Sequence, residues 1–145
     1  MTPEEFLNPE EEKQIVEAIR KAEKNTSGEI RVHLEKNSTS EGKERAVEVF
    51  KELGMHHTAQ KNGVLFYVDV DNKIFVILGD EGLNKVVPAD FWESIKDKVI
   101  SRFKEGKYGA GLVEGIKEVG EKLKKYFPYQ EDDINELPDE ISKNY

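Results

Sequence analysis

Apolar positions in this chain recur at two spacings, and the spacing changes mark the elements. Ile15, Ala18, Ile19 and Ala22 lie three or four residues apart, on one face of a helix that runs to about Lys24. Asn8-Pro9-Glu10-Glu11 is its start: Asn8 can cap, Pro9 suits the first helical position and Glu11 closes a capping box. After the break at Asn25-Thr26-Ser27-Gly28 the period falls to two. Ile30, Val32 and Leu34 point one way, while Glu29, Arg31, His33 and Glu35 point the other. That is a strand with one very polar face, or one whose polar face is partly covered by long side chains.

The polar stretch Asn37-Ser38-Thr39-Ser40 offers caps for a second helix, with Ala46, Val49, Phe50 and Leu53 as its apolar stripe and Gly54 at its end. Val64-Leu65-Phe66-Tyr67-Val68 is apolar or aromatic throughout, as expected of a central strand covered on both faces. Asp69-Val70-Asp71-Asn72 is a short turn into another strand at residues 74–78, so this pair is an antiparallel hairpin. The strand–helix–strand order before it predicts a right-handed crossover between two parallel strands.

Gly79-Asp80-Glu81-Gly82 reads as a glycine-flanked acidic turn. Pro88-Ala89-Asp90 introduces a third long helix, with Phe91 or Trp92, Ile95, Val99 and Phe103 facing the core. A fourth carries Leu112, Ile116, Val119 and Leu123 towards Phe127, and Gly111 and Gly115 in it allow close approach of a neighbour. These elements predict an α/β fold: a three-layer αβα sandwich with a short mixed central sheet, a β-α-β crossover followed by a hairpin, and about four flanking helices. Residues 1–127 form one domain. Residues 128–145 are an acidic tail, anchored by Ile134, Leu137 and Ile141, lying along the body and fraying at its end.

Composition narrows the chemistry. The 145 residues carry a formal net charge of -8, which repels phosphate backbones and anionic lipid surfaces and favours cations. No cysteine is present, which excludes disulfides and thiolate metal sites. The amino terminus lacks the basic and apolar regions of a signal peptide, and no apolar run approaches membrane-spanning length. The expectation is a cytoplasmic monomer with neither a nucleic-acid nor a membrane partner. His56-His57 and the lone strand histidine His33 do not have zinc-ligand spacing.

Two acidic loops remain. Hard cations such as calcium and magnesium take several oxygen ligands, carboxylates among them. In an antiparallel hairpin, the end of the third strand lies at the sheet edge where the first two begin. That brings Glu29, Asp80 and Glu81 to one edge as candidate metal ligands, with Ser27 and Asn62 as neutral ones. The alternative site is the hairpin turn, Asp69, Asp71 and Asn72, where such residues also serve the turn itself.

The order of several segments is specific: Thr26-Ser27-Gly28-Glu29-Ile30-Arg31-Val32, Asn62-Gly63-Val64-Leu65, Gly79-Asp80-Glu81-Gly82-Leu83, Val87-Pro88, and Lys104 through Leu112 with Gly106-Lys107-Tyr108-Gly109-Ala110-Gly111. In that order they resemble the TPM domain, over roughly residues 8–127. The closing Phe127-Pro128-Tyr129-Gln130-Glu131-Asp132-Asp133-Ile134 resembles a stand-alone bacterial branch of that family. The resemblance implies an αβα sandwich, divalent-cation binding and, as in plant thylakoid members, acid phosphatase activity. Other branches often carry Gly-Tyr-Gly-Leu-Glu where this chain has Gly79-Asp80-Glu81-Gly82-Leu83, and that motif holds no basic residue for a phosphate. The expected role is therefore a non-catalytic cation-binding or protein-interaction domain, with calcium or magnesium as the cofactor and another protein as a further candidate partner. The alternative is a metal-dependent phosphatase with Asp80 as catalytic base or nucleophile and Lys61 or Lys85 on the phosphate.

Overall fold

A computed structural model describes residues 3–36, 41–129 and 137–144. The order of elements is α1 (Pro3–Phe6), α2 (Pro9–Ala22), β1 (Glu29–Glu35), α3 (Gly42–Glu52), a 3-10 turn (Met55–His57), β2 (Gly63–Asp69), β3 (Ile74–Gly79), α4 (Glu81–Asn84), α5 (Phe91–Lys104), α6 (Tyr108–Leu123) and β4 (Ser142–Asn144). The expected capping box is present: Asn8 Oδ1 accepts from the Glu11 N–H at 2.8 Å, and Glu11 Oε1 accepts from the Asn8 N–H at 3.1 Å. The proposed caps at residues 37–40 lie outside the described residues, and Glu41 occupies the N-cap position of α3.

The sheet runs β3-β2-β1-β4. β1 and β2 are parallel, β2 and β3 antiparallel, as the connection lengths require. Every residue of β2 is buried. Ile30, Val32, Leu34, Val64, Phe66 and Val68 face one core, shared with α2, α5 and α6. Leu65 and Tyr67 face the other, beneath Ala46, Val49 and Phe50 of α3. The three layers follow from these two faces. Among the described residues, no helix is long and apolar enough to cross a membrane.

Two features extend the sequence reading. Asp80 does not sit in an open turn. It is the N-cap of α4, accepting the Glu81 N–H at 2.8 Å, so the acidic pair begins a one-turn helix that plants Leu83 in the core. Residues Ser142–Asn144, expected to fray, pair in parallel with His33–Glu35 and form the fourth strand. No periodicity in three residues can announce such a strand, because its pairing is set by the strand beside it.

α6 approaches its neighbours through glycine. A Cβ on Gly115 would lie 2.7 Å from Val99 Cγ2 and 2.9 Å from the Phe66 ring, so one atom decides whether α6 can touch both α5 and the sheet. Such overpacking costs about 1–3 kcal/mol, against about 1 kcal/mol gained in helix propensity. Gly115→Ala is expected to lower the stability of the chain by about 1–2 kcal/mol, read as a lower denaturant midpoint with an unchanged slope.

Candidate functional site

The residues proposed at the amino-end edge of the sheet share that edge but are separated by a strand. Glu29 lies opposite Gly63, and the Gly63 carbonyl accepts the Asp80 N–H at 2.9 Å. With β2 between them, the backbones of Glu29 and Asp80 stand about 10 Å apart. Glu29 is buried, and its Oε1 accepts the Leu137 N–H at 2.8 Å. Asn62 Nδ2 donates to the Ser27 carbonyl at 3.2 Å, and the Asn62 carbonyl accepts the Glu29 N–H at 3.3 Å, so these two polar residues join the entries of β1 and β2. Glu81 is exposed. One oxygen of Asp80 caps α4, while Oδ2 is buried without a hydrogen-bond partner.

At the hairpin turn, Asp69 serves the backbone. Its Oδ1 accepts the N–H groups of Asp71 and Asn72 at 3.1 and 3.3 Å, and its Oδ2 accepts from Asn72 Nδ2 at 2.8 Å. Among the described residues, no three His, Cys, Asp or Glu side chains are grouped in a way that would hold a metal ion. Lys61 Nζ donates to the His56 carbonyl, and Lys85 is exposed beyond α4.

A densely hydrogen-bonded polar group lies elsewhere, on the charged face of β1. Glu35 is 1% exposed. Its carboxylate accepts from Arg45 Nε at 2.7 Å and Nη2 at 3.0 Å, from the Tyr67 hydroxyl at 2.7 Å, and meets His33 Nε2 at 2.9 Å. Burial alone would push this carboxyl up; the bonds from Arg45, His33 and Tyr67 outweigh it and hold it at about 2. Burial lowers His33, so the ring is neutral at pH 7. Because a carboxylate can only accept, Nε2 carries the proton, and Nδ1 accepts from the Ser142 hydroxyl at 2.8 Å. Alternation in β1 identified these residues as one polar face, but nothing local identified Arg45 or Tyr67 as their partners.

A second group missed by the sequence reading joins the end of α2 to the tail. Arg20 Nε lies 3.6 Å from the Asp139 carboxylate. Burial raises the Glu23 carboxyl first, the neighbouring Asp139 carboxyl and the charge of Glu29 raise it further, and the Ile30 N–H opposes them; the balance is about 9.

Glu35 depends on its charge for stability. Its folded value is depressed, so its contribution is complete above about 4.5 and is lost as pH falls through about 2. Glu35→Ala removes the acceptor of Arg45 Nε and Nη2, of the Tyr67 hydroxyl and of His33 Nε2, leaving Arg45 only its Nη1 pairs with Glu48 and Glu52, and is expected to cost about 3 kcal/mol at pH 7. Glu35→Gln is expected to flatten the acid limb of the stability curve, measured by urea unfolding between pH 2 and pH 5.

The profile of the TPM domain matches residues 1–122. The chain is similar to the BA42 protein of the psychrophilic bacterium Bizionia argentinensis sp. nov., whose NMR structure superposes with a TM-score of 0.92 at 55% identity, covering 99% of each chain. It is also similar in fold to the N-terminal domain of a protein from P. gingivalis, with a TM-score of 0.69 at 21% identity, covering 86% of this chain and 82% of that one. No curated protein matches the sequence. On the match of its first 122 residues, the chain belongs to the TPM domain family.

Proposed function

We propose that this TPM domain is a non-catalytic binding module that takes a hard divalent cation, calcium or magnesium, at the Asp80–Glu81 turn. The observation that supports it is the orphaned oxygen of Asp80. Oδ1 is committed to the helix cap, while Oδ2 is buried with no donor. A buried carboxylate oxygen without a donor is costly, and a cation is the ligand that relieves it. Glu81 stands next in sequence with an exposed carboxylate, and the acidic net charge raises the local cation concentration. Glu29 joins such a site only if the Leu137 N–H leaves it. Against the phosphatase alternative, the Gly79-Asp80-Glu81-Gly82-Leu83 segment holds no basic residue to receive a phosphate.

Titration of the isotope-labelled chain with calcium and with magnesium tests this reading. Amide shifts are expected at residues 79–83, and Asp80→Asn is expected to weaken binding by about tenfold or more, as loss of one carboxylate ligand should. Shifts confined to residues 69–73, or none, would overturn the placement. Metal-dependent phosphate release that disappears in Asp80→Asn would instead establish the catalytic alternative.

A further inference from the structure

The sheet ends at β3, which has β2 on one side and, among the described residues, no strand on the other. The Asp80 N–H bonds the Gly63 carbonyl, and this fixes the phase of the β2–β3 ladder. Leu78 opposite Leu65 and Val76 opposite Tyr67 are then the residues that spend both backbone groups on β2. Phe75, Ile77 and Gly79 turn theirs outwards. The Gly79 carbonyl accepts from Asn84 Nδ2 at 2.8 Å, whereas the N–H and C=O groups of Phe75 and Ile77 have no partner among the described residues. Sheet edges are usually blunted by charges, proline or a bulge. β3 reads Ile74-Phe75-Val76-Ile77-Leu78-Gly79, without charge or proline, and its register with β2 is unbroken.

We propose that the free edge of β3 is a docking site for an extended segment of another protein, which adds to the sheet antiparallel to β3. The backbone groups of Phe75 and Ile77 hold its main chain, and the side chains beside them set its chemistry. Val76 and Leu78 are partly exposed on the α3 face, and Ile77 and Trp92 on the opposite one, so the added strand carries apolar residues on both faces. The Trp92 ring lies across Gly79 and gives the second face an aromatic wall. Charge sets the direction. Lys73 is exposed just ahead of β3 and Glu81 just past its end, and neither joins an ion pair among the described residues. An antiparallel strand begins beside Glu81 and ends beside Lys73. The complementary segment therefore has a basic residue ahead of its apolar run and an acidic one after it. Run parallel, the same segment would meet like charges at both ends.

The backbone groups of Phe75 and Ile77 need no cation, so the edge stands apart from the metal site proposed at the Asp80–Glu81 turn. Glu81 belongs to both, and a chelator keeps the two readings separable. In the free chain the Phe75 and Ile77 amides are expected to exchange with water about tenfold or more faster than those of Val76 and Leu78, which are bonded to β2.

The test is amide exchange by NMR on the full chain with a chelator present. The probe is a capped synthetic peptide long enough to span Lys73 to Glu81, with lysine first, glutamate last and a valine-rich run between them. It is expected to slow exchange at Phe75 and Ile77 by about tenfold or more. The same peptide with its lysine and glutamate exchanged is expected to bind about threefold or more weakly. A methyl group on the peptide nitrogen opposite Ile77 removes a donor that faces β3 and is expected to abolish binding. A methyl group on the next nitrogen, which points away from β3, is expected to leave binding in place. Phe75 and Ile77 amides already protected in the free chain, no change on adding peptide, or equal binding of the two methylated peptides would each overturn the proposal. Equal binding of the charge-exchanged peptide would overturn its direction. Protection that rises with the concentration of the chain alone would overturn the assignment to another protein and give the edge to a second copy.

Discussion

The charged face of β1 is the constraint around which this fold is arranged. β1 is an interior strand of the sheet, so its polar side chains cannot be left to water as they would be on a solvated sheet face. Glu35 in particular is buried as an anion. A carboxylate taken out of water must find donors for both oxygens, and here three side chains converge on it. Arg45 comes from α3, Tyr67 from β2 and His33 from β1 itself. The position of α3 over the sheet is thus fixed by hydrogen bonds as well as by Val49 and Phe50, and the last donor in the chain of bonds, Ser142, belongs to β4.

The opposite face is built on another principle. There, β1 and β2 present only apolar side chains, and α2, α5 and α6 close over them. Closeness replaces hydrogen bonding as the source of specificity. Gly115 lets α6 rest against Val99 and Phe66, and a Cβ on Gly120 would sit 2.8 Å from that of Ala22 in α2. These contacts tolerate little change in volume, whereas the α3 face tolerates little change in charge.

The difference explains what the sequence made legible. Helix faces, strand spans and the hairpin follow from periods of 3.6 and two, from Asn8 as a cap and from Gly54 as a terminator, where φ is +69°. These are local signals, and α2, β1 and β2 are readable from them, whereas the one-turn α1 ahead of Asn8 is too short to show a period. The TPM resemblance rested on the order of such segments. The candidate site was less legible, because strand order alone puts residues on an edge without saying which strand intervenes. Glu29 and Asp80 share the amino end of the sheet, yet Gly63 lies between them and each carboxylate has a backbone task. Arg45 stands ten residues beyond Glu35, across the loop into α3, and Tyr67 lies on another strand, so no common motif joins them. Their pairing exists only once α3 is in place over the sheet.

The two faces of the one sheet also imply two responses to temperature. Burial of apolar surface weakens on cooling, which draws down the layer formed by α2, α5 and α6. The cost of withdrawing ions from water falls on warming, which favours the Glu35–Arg45 contact beneath α3. Both layers share β1 and β2, so the one cooperative transition of the sandwich carries an apolar contribution that fades on cooling and an ionic contribution whose cost falls on warming.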